Sequence, residues 1–217
     1  MGPRPLRFLT TAAALLLLLP QGTEAQMSPE TRPSTLAGRS TVYAPNGVVA
    51  TSQPLATSAA LQVLQQGGNA FDAAVTAAAV LNVVEPHMTG IGGDMFALFW
   101  SARESKILGL DASGKSGSLA TPDTILALGM EDVPYRGARA VTVPGALSGW
   151  NALLEEFGTL SLSEALQPAI EIARNGFPVS PIIAGQWQGT ARILRRDPGA
   201  SATYLLEGDR APEAGEW

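Results

Sequence analysis

The residues able to do chemistry gather in two short stretches. His87, Thr89, the glycine-rich run Gly90-Ile91-Gly92-Gly93 and Asp94 form the first. Asp111-Ala112-Ser113-Gly114-Lys115-Ser116-Gly117 forms the second. The glycine run invites a phosphate-cradle reading, but it has neither the GxxxxGK[ST] nor the GxGxxG spacing and does not lead from a strand into a helix. A tight turn feeding a buried strand, with no room for side chains, is the reading that remains. His87 is the single histidine of the chain. It has the chemistry of a general base, but a lone histidine beside an apolar helix end is more often a hydrogen-bonding structural residue. Asp94 is suited to orient or cap the turn. The second stretch is dense in hydroxyls and leaves a strand, a natural place for substrate contacts or for an exposed turn. Ser113 or Ser116 with Lys115 is a conceivable Ser-Lys arrangement, yet neighbours on a loop rarely face each other. No internal constellation completes a mechanism, so spacing alone leaves the function open.

Alternating strands and helices must position these stretches. Val48-Val49-Ala50-Thr51 is a β-branched run consistent with a buried strand. Pro54 suits a first helical turn, and Leu55 to Gln66 reads as a helix with Ala60, Leu61, Val63 and Leu64 facing the core. Gly67-Gly68 ends it, and Asn69 caps the next helix with Asp72 in its first turn. That helix, Ala70 to Val84, is apolar nearly all round and should be buried on both sides within a layered structure. Met95 to Trp100 and Lys106 to Leu110 read as two strands joined through Arg103-Glu104 as a hairpin. Pro144-Gly145 opens a helix to Phe157. Ser161 and Glu164 have capping-box spacing for another, ending at Asn175-Gly176, with a kink or short first segment expected at Pro168. The class is α/β (α+β).

Composition bounds the chemistry further. The chain has 217 residues, 46% of them hydrophobic and 15% charged, enough apolar matter for a core. With no cysteine, a thiol nucleophile, a CxxC redox pair and a disulfide framework are excluded. One histidine precludes a multi-His metal site, and the sequence offers no sign of a metal or an organic cofactor. The net charge of −5 argues against nucleic acid as a partner. Residues 1–25 have the form of a signal peptide: Arg4 and Arg7, the apolar run Phe8 to Leu19, then Thr23-Glu24-Ala25 as a cleavage site. The run is too short to span a bilayer, which takes about 20 residues. Export to the periplasm or medium is therefore expected, followed by a flexible lead-in over 26–43.

Several separated motifs then resemble one family, in its order. Val49-Ala50-Thr51-Ser52-Gln53-Pro54-Leu55-Ala56 and Gly67-Gly68-Asn69-Ala70-Phe71-Asp72-Ala73-Ala74-Val75 resemble the opening of the γ-glutamyltransferase (γ-glutamyltranspeptidase) family. Glu85-Pro86-His87-Met88-Thr89-Gly90-Ile91-Gly92-Gly93-Asp94 resembles its glycine-rich turn. Val143-Pro144-Gly145-Ala146, Gln167-Pro168-Ala169-Ile170 and Gly176-Phe177-Pro178-Val179 match further blocks. The resemblance covers about residues 44–217 and implies an N-terminal nucleophile hydrolase with a four-layer αββα sandwich, here only partly represented. It also implies a precursor that cuts itself into a large and a small subunit and exposes an N-terminal threonine as nucleophile. That threonine is expected downstream of Trp217, together with the rest of the large subunit and the small subunit that are this segment's partners. Residues 44–217 then read as an N-terminal portion of the large subunit, inactive by itself. The implied donor is a γ-glutamyl amide such as glutathione, and the acceptor is water or an amino acid. No cofactor is implied.

One departure bears on specificity. Where the family usually has Arg-Glu after the strand-end Asp, a gapless match places Ser113 and Gly114. A serine lacks the bidentate grip of a guanidinium on a carboxylate, a loss of roughly 2–5 kcal/mol if nothing compensates. Ser113 and Lys115 are thus the candidate substrate-binding residues, Lys115 as a point charge. The same loop favours an alternative within the fold, an acylase-type amide hydrolase. A catalytically inactive, truncated binding module is the alternative from another class.

Overall fold

A computed structural model describes residues 41–217; the leader and most of the lead-in expected at 1–43 lie outside the described residues. Residues Ala44–Trp217 form one compact unit. Seven α-helices and one two-stranded sheet follow in that unit: α1 Pro54–Gln65, α2 Ala70–Val84, β1 Met95–Ser101, β2 Lys106–Ala112, α3 Pro122–Ala127, α4 Ala146–Phe157, α5 Leu162–Asn175, α6 Pro181–Leu194 and α7 Pro198–Tyr204.

The helix starts follow local chemistry. Gln53 caps α1 through its side-chain oxygen, with proline in the first turn. Gly67, at φ +96°, turns the chain as only glycine does without strain. Asn69 and Asp72 form a complete capping box on α2, a device contributing about 1 kcal/mol. Ser161 and Glu164 form a second on α5. Pro168 does not split α5, which runs as one helix from Leu162 to Asn175.

The core sits around α2. Val75, Ala79, Val80 and Val84 pack with Ala56 and Ala59 of α1, Trp150 and Leu154 of α4, and Ala165 and Ala169 of α5. Alanine at the crossing points lets these helices approach closely. Burial is not complete all round, as the apolar sequence suggested: Ala70 and Ala74 are exposed and line a cleft of about 490 Å³ against Phe96, Leu98 and Trp100 of β1. A second cluster joins Ile183, Trp187 and Ala191 of α6 to Leu205 and Ala211, with Trp187 Nε1 donating to Tyr204 O at 2.8 Å.

The strands form an antiparallel hairpin in which Met95 faces Ala112 and Ser101 faces Lys106. Gly149 of α4 lets the helix lie on that first pair, because a Cβ there would overlap Met95 Sδ and come within 2.7 Å of Ala112 Cβ. The strand expected at Val48–Thr51 is corrected: these residues join no ladder among the described residues, and Val48 is 70% exposed. A β-branched run prefers extended backbone, but a strand also requires a neighbour to pair with.

Candidate functional site

The open end of the hairpin draws together the two stretches singled out above. Met95 begins β1 and Ala112 ends β2 as direct cross-strand partners, so Asp94 and Ser113 leave the sheet side by side. A third segment, 142–146, locks onto both. Thr142 Oγ1 lies 2.9 Å from Asp94 Oδ1 and 3.0 Å from the Ser113 carbonyl, its proton shared between the two acceptors. Val143 N donates to Lys115 O at 2.8 Å, and Gly145 N and Ala146 N both donate to Gly93 O, at 3.2 and 3.0 Å.

Two glycines make this junction possible. Gly114 has φ +80°, and a Cβ on it would overlap the Val143 carbonyl oxygen. A Cβ on Gly145 would overlap the Ala112 carbonyl oxygen and sit 2.9 Å from Gly114 N. Backbone therefore meets backbone, with no space for a side chain at either position.

The glycine-rich turn behaves differently from expectation. Nothing lies within 4 Å of a Cβ placed at Gly90 or Gly92, and only the Gly90 carbonyl, at 3.3 Å, crowds Gly93. Neither Gly90 nor Gly92 has positive φ, and β1 alternates between half-buried and exposed positions from Met95 to Trp100, with only its last residue, Ser101, buried. The exclusion of side chains inferred from the sequence thus does not hold at these two positions. Replacing Gly90 or Gly92 by alanine is expected to shift the urea midpoint by no more than about 0.5 kcal/mol equivalent, whereas a shift above about 1.5 kcal/mol would reveal a contact the geometry lacks.

The candidate side chains have distinct surroundings. Asp111 accepts from Ser113 N at 2.9 Å, and this backbone bond, followed by the Ser113 hydroxyl, holds its carboxyl below the usual carboxylate range. Lys115 is exposed and makes no ion pair among the described residues. Asp94 is exposed and lines a cleft of about 740 Å³ with Asn82, His87, Met95, Trp150 and Tyr204. His87 is not brought to Ser113 or Lys115. Its Nε2 hydrogen-bonds to Gln186 Oε1 at 2.7 Å, tying the α2–β1 loop to α6. Thr142 and the Gly114–Gly145 interlock escaped the sequence reading. Pro144-Gly145 was visible as a helix start, but its approach to residues 112–114 depends on tertiary packing.

Comparisons with known proteins agree on one lineage. The family model described as Gamma-glutamyltranspeptidase matches residues 56–217. A glutathione hydrolase-like proenzyme, YwrD, of Bacillus subtilis (strain 168) is 41% identical over 163 residues, covering 75% of this chain and 30% of its own length. The acylase ACY 1 proenzyme of Pseudomonas sp. (strain V22) is 41% identical over 171 residues, with the same shares. The chain thus spans about 30% of the length of these curated relatives. Among solved structures, a cephalosporin acylase from Bacillus halodurans superposes with TM-score 0.78 at 41% identity, over 88% of this chain and 36% of that one. The γ-glutamyltranspeptidase of Helicobacter pylori gives TM-score 0.76 at 30% identity, over 82% and 51%. These neighbours bear out the N-terminal nucleophile hydrolase class.

Proposed function

Because the chain belongs to the γ-glutamyltranspeptidase family, we propose that residues 44–217 are an N-terminal portion of the large subunit of an exported, self-cleaving hydrolase and transferase of γ-glutamyl amides. The observation that carries this reading is the convergence of Asp94, Asp111–Lys115 and Thr142 at one end of the hairpin, within a family match that covers them all. Another part of the precursor supplies the nucleophile, an N-terminal threonine freed by cleavage. Its hydroxyl oxygen attacks the γ-carbonyl carbon while its own amine takes the proton. Collapse of the tetrahedral oxyanion expels the donor's amine, which leaves protonated, and an ester remains on the enzyme. Water or the amine of an acceptor amino acid then takes the acyl group and restores the threonine. Glutathione is the proposed donor; its relatives' names as glutathione hydrolases support it. The leader at 1–25 supports export, with the mature chain beginning at Gln26.

The test is the full-length precursor. Two chains, the second starting with threonine, and release of p-nitroaniline from γ-glutamyl-p-nitroanilide are expected. A single unprocessed chain without release defeats the proposal. A second reading, an acylase acting on other acyl amides, is favoured by one observation: Ser113 stands where the family's arginine grips the substrate head, and its backbone amide is bonded to Asp111. Release from glutaryl-p-nitroanilide with none from the γ-glutamyl anilide would select it.

A further inference from the structure

A smaller cavity, of about 300 Å³, has an apolar wall of Trp187, Ile193 and Leu194 on α6 and of Tyr204 at the end of α7. None of Asp94, Asp111–Lys115 or Thr142 lines it, although His87 and Tyr204 also border the 740 Å³ cleft. Ligand sites combine such a lining with a few placed polar groups. Two polar groups of the wall are spent within the fold: Trp187 Nε1 donates to Tyr204 O at 2.8 Å, and Thr190 Oγ1 donates to Trp187 O at 2.8 Å. Arg136 and His87 line the same cavity and are not spent. Arg136 is exposed and makes no ion pair among the described residues. On His87, Nε2 bonds to Gln186 Oε1, while Nδ1 is buried without a partner. A ring that donates from Nε2 keeps a lone pair at Nδ1 and accepts there. No carboxylate is among the lining residues.

We propose that this cavity binds a small α-hydroxy carboxylate with an aromatic or branched apolar body. Arg136 takes the carboxylate, the α6 wall takes the body, and His87 Nδ1 accepts from the hydroxyl. The guanidinium supplies a charge-assisted contact. The hydroxyl satisfies a buried acceptor that otherwise costs free energy. An amino acid fits less well, because its ammonium finds no anion in the lining and is repelled by Arg136.

Phenyllactate and hydrocinnamate share the ring and the carboxylate and differ in the hydroxyl. In calorimetric titrations of the purified full-length protein, phenyllactate is expected to bind about fivefold more tightly, the scale of one neutral hydrogen bond. Phenylalanine should bind at least about tenfold more weakly than phenyllactate. Arg136→Met should weaken both acids at least about tenfold. Arg139→Met removes the same charge from an exposed residue outside the lining and should leave both within about twofold. His87→Phe should equalise the two acids. No binding of either acid, equal affinities in the unaltered protein, equal losses in Arg136→Met and Arg139→Met, or phenylalanine binding as tightly as phenyllactate overturns the proposal. The γ-glutamyl reading stands or falls separately, on processing and anilide release.

Discussion

Asp72→Ala is expected to cost about 4 kcal/mol of folding stability, seen as a fall in the urea midpoint at unchanged slope. The side chain is fully buried and joins elements remote in sequence. Its Oδ2 accepts from Asn69 N at 2.8 Å and from Thr159 Oγ1 at 2.7 Å, while Oδ1 accepts from Thr159 N at 2.8 Å and Leu160 N at 3.0 Å. Gly158 gives the carboxylate room, since a Cβ there would lie 2.8 Å from Oδ1. Truncation leaves three backbone amides, two of them on half-buried residues, without their acceptor, and each donor left unsatisfied away from water costs roughly 1–3 kcal/mol. Burial pushes this carboxyl upward, but the four hydrogen bonds outweigh it and hold the group below its ordinary range. The depressed value in the folded state means that the charged form favours folding. Its contribution is fully present above the unfolded carboxylate value of about 4 and disappears as pH falls through the lower folded value. Asp72→Asn should flatten this part of the acid-stability profile. An unchanged profile, or a loss below about 1 kcal/mol in Asp72→Ala, would show that Asp72 does not hold the α4–α5 turn.

Gly114→Ala carries the second large effect, about 3 kcal/mol, from backbone strain at positive φ added to overlap with a carbonyl oxygen. The neighbour cannot yield as a flexible side chain would, because Val143 is itself fastened to Lys115 O. Relief requires parting the 111–115 and 142–146 segments. Gly117→Ala is the control: its φ is not positive and nothing lies within 4 Å of a Cβ there, and its effect should stay within about 0.5 kcal/mol. Urea unfolding of both variants checks the pair, and equal stabilities would refute the interlock.

These two residues also show how far the sequence could be read. The capping role of Asp72 was legible because its partner, Asn69, is three positions away. Its hold on Thr159 and Leu160 was not, since no local pattern marks a contact 87 positions distant. The hairpin was equally legible, from two apolar runs around a polar turn, and its strands need only each other. Val48–Thr51 misled because a β-branched run marks extended backbone but does not show whether a neighbouring strand pairs with it. At the site, Ser113 and Lys115 stood out by type and by their place at a strand end. The demand for glycine at 114 stayed hidden, because it is imposed by a carbonyl contributed from position 143. The helices α3, α6 and α7 each begin with proline, a start signal that was readable in principle but sits in stretches without strong apolar periodicity.

The Asp72 clasp also has a bearing on time. Pairings within α1–α2 and within the hairpin close short loops, whereas the clasp closes one of 87 to 88 positions, and loop closure becomes entropically harder with length. Such a contact is expected to form late in folding, so Asp72→Ala should accelerate unfolding more than it slows refolding when both rates are followed against urea. The clasp therefore acts as a kinetic latch: its strength governs how long the native state persists once formed, and hence its lifetime among proteases that cleave opened chains faster than they reclose.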